Sequence, residues 1–251
     1  MDKIIKHEPD PLSFLKEFTP ARIAIGSTGS SIPTKQSLEF KLAHAHARDA
    51  VYSVMDSEEL TEILMQFNLP VLQLHSRAES RAQYLQRPDL GRLLDEYSIN
   101  RLTDQITGDD VVIIIADGLS AMAIDENALA LLQLLIPKFS AAKLKVGPLC
   151  LVQQGRVAIG DPIADALNAR LSIILIGERP GLSAADSMGA YLTYNPKPGL
   201  KDNSRNCISN IRPGGLDPAT AADKIFYLVQ EAFKRKLSGV ELKDNEGLLG
   251  E

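Results

Sequence analysis

From residue 111 onward the chain alternates short, wholly apolar runs with longer stretches of helical periodicity. Val111-Val112-Ile113-Ile114-Ile115-Ala116 is β-branched almost throughout, and a strand with no polar side must be buried on both faces. It ends at the turn signal Asp117-Gly118, and an Ala- and Leu-rich helix is predicted over 120–139. A strand from Leu144 to Val152, a helix over about 161–169 and a strand over Leu171-Ser172-Ile173-Ile174-Leu175-Ile176 come next. A closing helix over about 218–237 carries Ile225, Leu228, Val229 and Phe233 on one stripe. Doubly buried strands alternating with helices predict an α/β fold: a doubly wound, Rossmann-like, mainly parallel sheet.

The first hundred residues have another rhythm. Residues 1–20 carry Pro9, Pro11 and Pro20 among mixed charges, which predicts a flexible N-terminal arm. Residues 21–105 are predicted to be mainly helical with one strand, Arg22-Ile23-Ala24-Ile25, running into Gly26-Ser27-Thr28-Gly29-Ser30-Ser31. A long helix should follow to about residue 55, with Leu38, Leu42, Ala45 and Val51 at near-helical spacing. Segments 58–67 and 88–106 read as further helices, and 106–251 as the α/β domain. In such sheets ligands lie beyond the carboxyl ends of the strands. That rule points to Asp117-Gly118, Gly155-Arg156-Val157 and Gly177-Glu178-Arg179-Pro180.

Composition narrows the function classes. A length of 251 residues, 45% hydrophobic and 24% charged, is ordinary globular usage. The net charge of −5 and a pI near 5.5 favour neither nucleic acid nor an anionic membrane. There is no Trp, and seven Phe with six Tyr leave little for base stacking. No apolar run approaches the roughly 20 residues of a membrane span, and the start MDKIIKHEPD does not read as a secretory signal. Two cysteines, Cys150 and Cys207, are too few for a disulfide framework, so a reducing cytoplasm is the expected compartment.

The candidate chemistry is sparse. Gly26–Ser31 could cradle a phosphate, but it has neither a P-loop ending nor G-x-G-x-x-G, and a tight helix-capping turn is the favoured reading. His44 and His46, two apart on a helix, point away from each other and do not form a metal pair. Cys207 sits in a polar, loop-like run, Arg205-Asn206-Cys207-Ile208-Ser209-Asn210-Ile211-Arg212, where a loop thiol touching a ligand fits better than a buried inert one, and distant His residues give no evidence of a nucleophile. Ile176-Gly177-Glu178-Arg179-Pro180-Gly181-Leu182 is the most informative segment: a carboxylate and a guanidinium at a strand's end, flanked by glycines that let a large ligand approach the backbone. No Ser-His-Asp order, nucleophile elbow or paired-carboxylate motif is present. The residues alone describe a ligand-binding α/β chain without its own catalytic constellation.

Taken in order, several segments carry a specific likeness. They are Arg22-Ile23 with Gly26 and Gly29, His44-Ala45-His46-Ala47-Arg48-Asp49-Ala50-Val51, Arg87-Pro88-Asp89-Leu90-Gly91-Arg92 and Asp117-Gly118-Leu119-Ser120. Gly155-Arg156-Val157-Ala158, Gly177 to Leu182 and Arg205 to Ile211 continue the series. From about Arg22 to about Gly239 the chain resembles the small (light) subunit family of ethanolamine ammonia-lyase. The resemblance implies a carbon–nitrogen lyase that uses adenosylcobalamin to convert ethanolamine to acetaldehyde and ammonia. There, cobalt–carbon homolysis yields a 5′-deoxyadenosyl radical that abstracts a substrate hydrogen. It further implies a large TIM-barrel subunit that carries the substrate site, in a hetero-oligomer whose cobalamin is sandwiched between the two chains. By motif, three cobalamin-contacting positions map to Val157, Glu178 and Cys207, and the chain itself contributes no catalytic residue and no metal ligand. The implied compartment is the cytoplasm or a bacterial microcompartment within it.

Two rival readings differ in class. A stand-alone Rossmann nucleotide enzyme would need a glycine fingerprint and an acid about 20 residues on, and neither strand end offers it. A non-catalytic, Rossmann-like ligand-binding or scaffold protein would leave Glu178 and Arg179 merely paired.

Overall fold

The structure, a computed structural model, describes residues 10–19, 21–103, 105 and 108–243. Along the chain, helix α1 (Thr34–Tyr52) and helix α2 (Ser57–Leu64) precede strand β1 (Val71–His75). Helices α3 (Arg81–Gln86) and α4 (Glu96–Thr103) lead to β2 (Val111–Ala116). Then come α5 (Ala121–Ala141), β3 (Val146–Gln153), α6 (Gly160–Ala166) and β4 (Leu171–Gly177). The described chain closes with β5 (Met188–Tyr194), β6 (Asn206–Ile211) and α7 (Pro218–Arg235).

Among the described residues, six strands form one sheet in the order β1-β3-β2-β4-β5-β6. The pairs β1/β3, β3/β2 and β2/β4 are parallel, and β4/β5 and β5/β6 are antiparallel, so the sheet is mixed. The all-apolar run Val111–Ala116 lies centrally and is wholly buried, as its β-branched composition demands. Alternate side chains feed two cores. Val111, Ile113 and Ile115 pack with apolar residues of α2, α5 and α7. Val112, Ile114 and Ala116 pack with Leu102 of α4 and Ile163 of α6 on the other face.

Three sequence expectations need correction. Arg22–Ile25 is not a strand: no neighbouring strand pairs with it, and Ala24 sits at φ +48°, which breaks extended geometry. The strand of the N-terminal region is Val71–His75, which adds to the same sheet beside β3. The run around Cys207 is a strand, β6, because β5 supplies the ladder partner that local polarity concealed. The helix expected over 88–106 is a short 3₁₀ turn, Leu90–Arg92, followed by α4. Of the expected arm, residues 1–9 and 20 lie outside the described residues, as does residue 106 at the expected domain boundary, and Ser13–Glu17 forms a 3₁₀ turn.

Helix α1 differs from the others. Of its residues only Ala50 is buried, and Leu38, Phe40 and Leu42 are exposed, because just a few residues of α5 approach it. Its carboxyl end is tied down by Arg81, whose Nε donates to the Val51 carbonyl at 2.6 Å.

Candidate functional site

The carboxyl ends of β2, β3 and β4 lie side by side, and one buried carboxylate organises them. Asp117, directly after β2, accepts from Gln154 N at 2.9 Å and Gly155 N at 3.1 Å. These two bonds close the loop that leaves β3. Burial pushes the Asp117 carboxyl above its usual range, while those N–H donors and the Arg81 guanidinium, 3.9 Å away, oppose the shift. Gly118, at φ +57°, presses the turn onto β4: a Cβ there would meet the Gly177 carbonyl at 2.2 Å. The Leu119 N–H donates to that same carbonyl at 2.9 Å.

The β3 loop is held from a second side by Tyr84 of α3. Its fully buried hydroxyl donates to the Gly155 carbonyl at 3.0 Å. The guanidiniums of Arg156 and Arg81 lie 4.1 and 4.8 Å from its ring centroid. Burial raises the Tyr84 hydroxyl well above the ordinary phenol range, with Arg156 pulling the other way. Arg156 also donates its backbone N–H to the Gly91 carbonyl at 2.7 Å and its Nη2 to the Tyr84 carbonyl at 3.2 Å. The following 3₁₀ turn, Val157–Ile159, presents half-buried Val157 at the start of α6.

Glu178, immediately after β4, spends its carboxylate inside the protein. Oε2 accepts from the Ser187 hydroxyl at 2.6 Å and from Asn210 N at 3.0 Å, and Oε1 accepts from the Ser209 hydroxyl at 2.5 Å. One acceptor position of about four remains for a ligand. Glu178 therefore joins the ends of β4, β5 and β6 as well as facing the hollow beside it. Cys207 stands opposite Tyr191 across the β5/β6 ladder and is exposed. Partial burial is the main cause that raises its thiol, with Glu178 adding to it and the Tyr191 hydroxyl opposing as a hydrogen-bond partner. The other cysteine, Cys150, is buried in β3 with its thiol pushed up to about 12, which makes it an inert core residue.

These segments enclose two adjoining hollows that share a wall of Arg156, Val157 and Tyr191. The first, about 400 Å³, is completed by Pro88, Arg92, Ala158, Asp202, Arg205 and Cys207. The second, about 210 Å³, is bounded by Tyr84, Gly118, Leu119, Glu178 and Arg179 among others. Val157 thus faces both hollows, Glu178 the second and Cys207 the first. They lie in adjacent hollows and not in one. Sequence reasoning missed Tyr191 because β5 was not foreseen, and missed Tyr84, Arg81 and Arg92 because only the folded chain brings α3 and the Leu90–Arg92 turn to the β3 loop.

The remaining candidates lie elsewhere. Thr28 and Ser31 exchange backbone hydrogen bonds at 2.8 and 3.2 Å, so Gly26–Ser31 is a tight turn before α1. His44 and His46 are both exposed on α1. Among the described residues no group of three His, Cys, Asp or Glu is placed to hold a metal ion, and no helix is long and apolar enough to cross a membrane.

Comparison with known proteins adds a second line of observation. Residues 9–243 match the family described as ethanolamine ammonia-lyase light chain (EutC). A Pseudomonas paraeruginosa protein named ethanolamine ammonia-lyase small subunit is 49% identical over 248 residues, covering 95% of this chain and 91% of that protein. The protein of the same name from Azotobacter vinelandii is 50% identical over 239 residues, 94% of this chain and 88% of its own length. The one from Xanthomonas campestris pv. campestris is 49% identical over 239 residues, with the same two coverages of 94% and 88%.

Proposed function

The chain belongs to the ethanolamine ammonia-lyase light-chain family, and from that premise we propose that it is the small subunit of a carbon–nitrogen lyase that releases acetaldehyde and ammonia from ethanolamine. In this reading it acts only with a large, TIM-barrel subunit that carries the substrate site, and it covers one side of adenosylcobalamin. The observation that carries the reading is the shared wall of Arg156, Val157 and Tyr191, which joins two hollows at the carboxyl ends of the parallel strands. A corrin is a broad plate, apolar on its faces and edged with amides, and a pair of shallow adjoining hollows suits it better than one deep pocket would. The order β1-β3-β2-β4 with helices on both faces supports taking this half of the sheet as doubly wound and Rossmann-like.

The residues present fit such a group. Val157 and the Tyr191 ring offer apolar surface, worth about 25 cal/mol for each Å² covered. Glu178 keeps one acceptor position for an amide N–H, and its three internal donors hold it in place beforehand. Cys207 supplies a small, soft contact, its raised thiol remaining protonated at neutral pH. Arg156 has a buried Nε without a hydrogen-bond partner. Adenosylcobalamin would supply the radical that begins hydrogen removal from the substrate. This chain's part is to position and shield: the Asp117 and Tyr84 bonds hold the β3 loop, and the hollows exclude water on one side.

Co-expression with the large subunit tests the proposal. A purified complex with a retained cobalamin absorbance and ethanolamine-dependent acetaldehyde release is expected, with no turnover from the chain alone. A colourless complex, or robust turnover by the isolated chain, refutes it. Partition of the complex with or without microcompartment shells then decides between the two implied locations.

A further inference from the structure

The larger hollow carries a charge feature that an apolar plate with neutral amides does not explain. Four charged side chains line it: Arg92, Arg156, Arg205 and Asp202. Arg205 is spoken for, since Nη1 meets Asp161 Oδ1 at 2.6 Å and Nη2 meets Asp161 Oδ2 at 2.7 Å. Asp202 is exposed and lies 3.9 Å from the Arg205 Nε. Arg92 is exposed, and its guanidinium has no hydrogen-bond or ion-pair partner among the described residues. Arg156 donates Nη2 to the Tyr84 carbonyl at 3.2 Å, and its buried Nε, like that of Arg205, has no hydrogen-bond partner.

A backbone bond brings the Leu90–Arg92 turn against Arg156. The Arg156 N–H donates to the Gly91 carbonyl at 2.7 Å, so the residue next to Arg92 is bonded to the residue that carries the second guanidinium. Gly91 is itself buried, and a Cβ there would meet the Arg156 Cγ at 2.7 Å, which fixes how closely the turn approaches. Two guanidiniums lining one hollow, with no carboxylate ion-paired to either, favour an anion there. The rigid donor fork of Arg matches a phosphate oxygen pair. The only anionic group of a complete corrinoid that carries a permanent single charge is the phosphodiester of its nucleotide tail.

We propose that Arg92 and Arg156 form a subsite for that phosphodiester, in the hollow bordered by Pro88, Ala158 and Cys207. The inference rests on the cobalamin reading above and adds to it which end of the cofactor lies over this hollow. With the phosphodiester held there, the nucleotide tail would pass the Leu90–Arg92 turn, and Val157 and Tyr191 would be left to face the corrin.

The test uses the complex with the large subunit and three probes: cyanocobalamin, cobinamide phosphate, which keeps the phosphate but lacks ribose and base, and cobinamide, which lacks all three. Retention is read by absorbance after equilibrium dialysis, without reference to activity. Arg92→Ala removes an exposed side chain and leaves half-buried Arg156 packed on Tyr84. It should weaken cyanocobalamin and cobinamide phosphate by about tenfold or more, the size expected of a lost charge-assisted bond, and leave cobinamide unchanged. Arg92→Lys should recover part of the loss. Equal losses for all three probes, no loss for any, or a loss for cyanocobalamin alone overturns the subsite. Failure of the unaltered complex to hold any of the three overturns the cobalamin reading itself, and the subsite with it.

Discussion

Arg205 forks onto Asp161, Nη1 to Oδ1 at 2.6 Å and Nη2 to Oδ2 at 2.7 Å, with side chains only 3% and 2% exposed. The pair ties the residue just before β6 to the first turn of α6, and so sets Cys207 relative to Val157. Two further acceptors, the Thr193 hydroxyl at 3.2 Å and the Leu200 carbonyl at 3.3 Å, also meet the guanidinium, whose buried Nε has no hydrogen-bond partner. Removing one partner leaves a buried charge uncompensated, which costs about 3–5 kcal/mol. Arg205→Ala is therefore expected to lower the unfolding free energy by about that amount in urea titrations, and Asp161→Asn by less. A double replacement by apolar residues of similar volume should recover much of the loss. A single-variant loss below about 1 kcal/mol would show the pair to be energetically idle.

Glu178 serves the fold and the hollow together. Glu178→Ala leaves the buried Ser187 hydroxyl without its acceptor and the exposed Ser209 hydroxyl and Asn210 N–H to water, and should cost about 1–2 kcal/mol of stability in addition to weakening cobalamin retention. Glu178→Gln keeps the shape and one good acceptor, so its melting temperature should lie between those of the parent and the alanine variant. Thermal melts of the three proteins decide this; identical melts would mean the internal bonds contribute nothing.

Gly118 sits where a side chain has no room. Its φ of +57° and the 2.2 Å approach of a built Cβ to the Gly177 carbonyl require both strain and displacement of the β2–α5 turn from β4. Gly118→Ala is expected to destabilise by about 2 kcal/mol or more and to loosen cobalamin, since the turn borders the smaller hollow. Denaturation together with dialysis retention measures both effects. A variant of parent stability would contradict the close packing.

Asp125 gives a pH signature. Its carboxyl is pushed up to about 6, first by partial burial and then by Glu59, Asp56 and Glu126. The folded value lies above the unfolded one, near 3.9, so the native state holds the proton longer than the unfolded state does. Stability from this group is intact below about pH 4 and falls as pH rises towards 6. Asp125→Asn should therefore stabilise the chain at pH 7.5 and have little effect at pH 4. Part of that gain should vanish in molar salt, because the neighbouring acids act through solvent-screened charge. Melting curves at the two pH values test the sign.

Legibility in the sequence followed the range of the interactions involved. Val111–Ala116, Leu171–Ile176 and the helices over 121–141 and 218–235 were readable because each declares its environment by itself, in a periodicity that spans neighbours in the chain. The turn segments after β2, β3 and β4 were readable as the places where the chain leaves the sheet for the same reason, since strand ends are local features. Strand β1, with buried Leu72 and Leu74 alternating with half-buried neighbours, carried a usable signal after Pro70. Arg22–Ile25 shows the converse: four residues of suitable composition make no strand without a partner to bond.

What the sequence by itself determined is the alternation of buried strands and helices, the positions at which the chain leaves the sheet, and family membership. Only the tertiary structure decided that polar β6 pairs with β5, that Glu178 is engaged by three donors from distant residues, and that Arg92 comes beside Arg156. The reason is physical: burial pattern is imposed residue by residue along the chain, whereas the partner of a polar group is set by where remote segments are carried, and no local spacing encodes that path.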